Sequence, residues 1–128
     1  MNEALYNSQK NYVERHGGVV LRGGEEVERH LDSVHADASH IGGAILPREN
    51  ATTSDVLEEV FHFQQDIRGD YSDRPDKEMG ILREIDAQRY LIDVAERYNI
   101  PEDETRQTRA ALAEYEKSLK GVRGDASD

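Results

Sequence analysis

Six of the ten glycines come as three pairs, Gly17-Gly18, Gly23-Gly24 and Gly42-Gly43, all within the first 43 residues. Glycine weakens both helix and strand interiors, so this part of the chain has room only for short elements. The breaks predict a helix over residues 2–15, anchored by Leu5, Tyr12 and Val13. A short strand follows at Val19-Val20-Leu21, where a β-branched run lies between glycines. Glu25 to Ala36 reads as an amphipathic helix, with Val27, Leu31 and Val34 at helical spacing and Glu25, Glu26 and Glu28 at its positive end. Ile41 to Leu46 reads as one strand with Gly42-Gly43 as a bulge, ended by Pro47.

Beyond Pro47 the pattern becomes helical. Thr52-Thr53-Ser54 offers N-caps for a helix from Asp55 to Ile67. Gly69 to Pro75 is a turn-rich loop. A long helix is predicted from Asp76 to Tyr98, with Ile81, Leu82, Ile85, Leu91, Ile92, Val94 and Ala95 as its apolar side. Asn99-Ile100-Pro101 ends it, and a final helix reaches Leu119. Residues 121–128 read as a disordered tail. This order of elements predicts one α+β domain over residues 1–120, mostly helical, with a small sheet of short strands.

Composition removes several functions. The 128 residues carry a net charge of −11, which disfavours nucleic acid and anionic membranes as partners. There is no cysteine, so disulfides, thiolate metal sites and cysteine nucleophiles are impossible. No apolar run approaches the roughly 20 residues of a membrane span. Met1 to Tyr6 lacks the basic and apolar regions of a signal peptide. Export would then depend on another segment or a dedicated machine.

The residues that suggest chemistry lie in the Asp55–Ile67 helix. Val56, Val60, Phe63 and Ile67 form one apolar stripe, flanked by Leu57 and Phe61. Glu58, Glu59, His62 and Asp66 fall on the other side. Glu58 and His62, at i and i+4, can hold one divalent ion between them, and Glu59 projects beside it as a general base for water. That is the physical content of H-E-x-x-H, with a glutamate standing at the first histidine. Glu84, on the next helix across the Gly/Pro turn, is the candidate third ligand. Gln88 shares its face, whereas Asp86 points elsewhere. A solvated polar face accounts for the same residues without any metal. His35 and His40 are reserve ligands, and His16 and His30 read as solvated. The two Arg-Gly-Asp triplets, at 68–70 and 123–125, are chance matches.

The run Ile45-Leu46-Pro47, residues 51–65, and Glu84-Ile85-Asp86-Ala87-Gln88 resemble the zincin-like metallopeptidase toxin domains of bacterial polymorphic toxins. Tyr98-Asn99-Ile100, Thr108, Leu112 and Tyr115 extend the likeness, which spans residues 17–119. The resemblance implies a zincin-like fold with a core motif helix and a peptide or protein substrate. It implies a divalent metal, Zn²⁺ with Mn²⁺ as competitor, and a cognate immunity protein. It also implies a bacterial effector domain, secreted or delivered into a target cell as part of a larger toxin. By position Glu59 matches the general base, His62 the retained histidine ligand and Glu84 the downstream acidic ligand. Glu58 departs from the pattern, and two carboxylates favour a harder ion than two histidines do. The Ile41–Leu46 strand would align an extended peptide along its edge. A different class, a non-catalytic acidic interaction protein such as an immunity partner or a nucleic-acid mimic, would carry the same charge.

Overall fold

The N-terminal helix starts where Asn2 caps it. The Asn2 side chain accepts from the backbone N–H groups of Ala4 and Leu5, at 2.9 and 3.1 Å. These satisfy two of the donors that a helix start leaves orphaned. The computed structural model describes residues 2–124. It contains five helices and one three-stranded mixed sheet, an α+β fold that is mostly helical. The elements are α1 (Glu3–Arg15), β1 (Val19–Val20), α2 (Glu25–Val34), β2 (Ala38–Ile41), β3 (Ala44–Pro47), α3 (Thr53–Arg68), α4 (Asp76–Asp93) and α5 (Glu102–Val122). The chain forms two compact units, one up to Gln64 and one from Gln65, and the boundary falls inside α3.

In the first unit the sheet order is β1-β3-β2, with β1 parallel and β2 antiparallel to β3. The single strand expected over Ile41–Leu46 is therefore two strands. Gly42, at φ +58°, and Gly43 form a two-residue turn rather than a bulge, and Ile41 pairs with Ala44 across it. Pro47 is the last residue of β3 rather than a residue beyond it. The two-strand arrangement matters for function, because β3 is bonded on both sides. An extended peptide cannot add along Ala44–Leu46; the open edges belong to β1 and β2.

Tyr6, Val13, Val20, Ile45, Ala51, Val56, Val60 and Phe63 make the core of this unit. Gly18 is wedged among them: a Cβ there would lie 2.6 Å from Phe63, 2.7 Å from Val13 and 2.8 Å from the Gly43 carbonyl. α2 ends at Val34, two residues earlier than expected, because His35 turns left-handed at φ 56°. Leu31 is fully buried, but Val34, expected on the same stripe, is exposed. Arg48 ties α2 to the end of β3 through Glu28, Asp32 and the Ala36 carbonyl.

The start of α3 is a reciprocal cap. Asp55 N–H donates to Thr52 Oγ1 and Thr52 N–H donates to Asp55 Oδ2, both at 3.1 Å. Val56, Leu57, Val60 and Phe63 are buried as the periodicity requires, but Ile67 is half exposed. In the second unit Gln65, not Ile67, is the buried residue of the last turn, and its amide donates to the Arg83 carbonyl of α4 at 2.9 Å.

α4 and α5 pack together, and Ile85, Ala87, Leu91 and Ile100 are buried in this unit. The helix expected to continue to Tyr98 stops at Asp93. Turns carry the chain on to Asn99, whose left-handed φ of 53° lets Ile100 N–H reach back to the Ala95 carbonyl at 2.8 Å. At the other end α5 runs to Val122, so Gly121 and Val122 are helix where a tail was expected; residues 125–128 lie outside the described residues.

Candidate metal centre

α3 carries Glu58 and His62 one turn apart in the middle of a helix that is firmly capped at Thr52. The i, i+4 spacing sets their side chains over the same turn. His62 Nε2 stands 3.7 Å from Glu58 Oε2. His62 is 9% exposed, whereas Glu58 and Glu59 are half-buried. The alternative of a solvated face is therefore not met at His62, which is buried.

Glu84 sits on α4 and is half-buried. The Tyr115 hydroxyl of α5 donates to Glu84 Oε2 at 2.8 Å. Glu58, His62 and Glu84 each offer one ligand atom, and these three atoms all lie within 4.8 Å of one another. One imidazole and two carboxylates can bind a divalent ion.

The neighbouring candidates do not join this group. Asp66, expected on the same polar face, is paired with the Arg83 guanidinium. Asp86 accepts from the Tyr71 hydroxyl at 2.6 Å, and that hydrogen bond, with burial, raises the Tyr71 pKa. Gln88, expected beside Glu84, is buried at 4% exposure. Among the histidines, His35 is the exposed C-cap of α2 and His40 pairs with Ile45 in the sheet register. His16 bonds the Tyr12 carbonyl, and His30 is half-buried rather than solvated.

Sequence reasoning overlooked Tyr115 as a partner of Glu84. The two residues are 31 apart on different helices, a separation at which periodicity carries no signal. It overlooked Gln65 for a related reason, since a buried glutamine looks like any other polar helix position until its acceptor is known.

No family model, curated protein or solved structure matches the chain. Among the described residues no helix is long and apolar enough to cross a membrane.

Proposed function

We propose that this chain is a zincin-like, metal-dependent peptidase that serves as a bacterial toxin effector domain. The observation that carries the reading is the gathering of Glu58, His62 and Glu84 with Glu59 next in the chain to the first of them. The donor set suits Zn²⁺, and its two carboxylates make Mn²⁺ a competitor. A bound divalent ion would supply Lewis acidity at the scissile carbonyl. The chain's own residues do the rest. His62, Glu58 and Glu84 would hold the ion, and the Glu59 carboxylate would take a proton from the attacking water and pass it to the departing amine. The effector role, the delivery within a larger toxin and the neutralising immunity protein rest on the resemblance carried by residues 45–65 and 84–88.

Thermal shift with Zn²⁺, Mn²⁺ and Ni²⁺ tests the centre. Binding to the native state alone raises stability by about 2.7 kcal/mol at a hundredfold excess over Kd. The shift should appear in the wild type and vanish in His62→Ala. Glu59→Gln should keep the shift and lose both peptidase activity and toxicity on expression. A wild type without any shift removes the metal and leaves the acidic interaction protein as the reading. A fully toxic Glu59→Gln refutes the mechanism.

A further inference from the structure

Resting on the metal centre proposed above, we infer that Tyr115 is a positioning residue for the metal-ligating carboxylate of Glu84. A glutamate ligand has three side-chain torsions and two oxygens, and it can meet an ion through either oxygen or both. Any group that fixes one oxygen removes much of that freedom before the ion arrives. Tyr115 does this from α5, its hydroxyl donating to Glu84 Oε2 at 2.8 Å. A carboxylate bonded at one oxygen keeps lone pairs for a metal. Partners of this kind orient a ligand and typically change metal affinity 10- to 100-fold when removed.

The same unit contains an internal comparison. Tyr71 donates to Asp86 at 2.6 Å, the same pair of groups two residues further along α4. Asp86 lies outside the group of candidate ligands. Tyr71 therefore serves the fold, and Tyr115 serves the fold and the ligand. Tyr115 is only half-buried and borders an open groove of about 420 Å³ with Lys77, Ile81 and Ser118. Removing its hydroxyl leaves water access to the Glu84 carboxylate, so Tyr115→Phe should cost little stability.

Calorimetric titration with ZnCl₂ of the full chain, as wild type, Tyr115→Phe, Tyr71→Phe and Glu84→Gln, tests the assignment. Tyr115→Phe should weaken Zn²⁺ binding 10- to 100-fold while its metal-free melting stays close to wild type. Tyr71→Phe should leave the affinity within about twofold. The visible absorption bands of the Co²⁺-loaded protein should change in Tyr115→Phe and not in Tyr71→Phe, a signature that a purely structural role would not produce. If the wild type binds Zn²⁺, Glu84→Gln weakens it and Tyr115→Phe does not, the positioning role is wrong and the centre stands. If Tyr115→Phe is unfolded without metal, Tyr115 is a structural residue and the inference fails. If the wild type binds no Zn²⁺, the centre itself is wrong and the inference goes with it.

Discussion

Adding one methyl group at Gly18 should destabilise the first unit by about 3 kcal/mol. The added Cβ would stand 2.6 Å from Phe63 Cε1, 2.7 Å from Val13 Cγ1 and 2.8 Å from the Gly43 carbonyl oxygen. None of the three can retreat cheaply. Val13 is fully buried, Phe63 is 6% exposed and both belong to the core. The Gly43 carbonyl is backbone and accepts from Val19 N–H at 2.9 Å, the bond that starts the β1–β3 pairing. Overpacking of a filled core costs about 1–3 kcal/mol. Loosening the hydrogen bond adds about 1 kcal/mol, which puts Gly18→Ala near the top of that range. At roughly 4 °C per kcal/mol for a chain of this size, the midpoint should fall by about 12 °C. Gly43→Ala is the matched control, because its Cβ would meet nothing closer than 3.7 Å and its φ is not left-handed. It should lie within about 0.5 kcal/mol of wild type. Urea denaturation followed by circular dichroism reads both variants, with an unchanged m-value confirming a stability effect. A Gly18→Ala protein as stable as Gly43→Ala would refute the close packing of α1, α3 and the β2–β3 turn around Gly18.

Three further outcomes follow from local geometry. Thr52→Ala removes one arm of the cap on α3 and should cost about 1 kcal/mol in the same denaturation experiment, while Thr52→Ser should recover most of it. The Arg68 hydrogen bond, aided by the charges of Arg68 and Arg83, holds the Asp70 carboxyl below its ordinary value. Its contribution is therefore present above the unfolded carboxylate pKa and lost as pH falls through the lowered folded value; Arg68→Ala should bring the Asp70 titration seen by NMR back toward about 4, with under about 1 kcal/mol lost at neutral pH. Glu58→His restores H-E-x-x-H on a helix whose i, i+4 spacing is already correct, so calorimetry should show tighter Zn²⁺ and weaker Mn²⁺ binding; equal affinities in both proteins would remove Glu58 from the centre.

The part of the candidate site carried by α3 was legible in the sequence because it is local. The cap at Thr52 and Asp55, the helix that follows and the one-turn separation of Glu58 and His62 all depend on residues within four positions of one another. The same holds for the glycine pairs, each of which does interrupt regular structure. The sequence had no means of separating a bulge from a hairpin at Gly42-Gly43. That choice is made by the antiparallel pairing of β2 with β3, Ile41↔Ala44 out to Ala38↔Pro47, which folds the two halves of the run against each other.

The remaining differences have one physical origin. Helical periodicity states which residues share a face, but burial depends on what packs against that face. Ile67 continues the stripe of Val56, Val60 and Phe63 and is nevertheless half exposed, while His62, from the polar side, is buried. Val94 and Ala95 continue the apolar pattern of α4, yet the left-handed Asn99 and the bond from Ile100 to Ala95 close the chain into turns before α5. The sequence by itself determined the helix that carries Glu58, Glu59 and His62, because capping and spacing act over a single turn. Only the tertiary structure decided that Glu84 has Tyr115 as its partner and that Asp66 and Asp86 are taken up by Arg83 and Tyr71. Those partners lie between 15 and 31 residues away, where side-chain pairing is set by helix packing and not by any local preference.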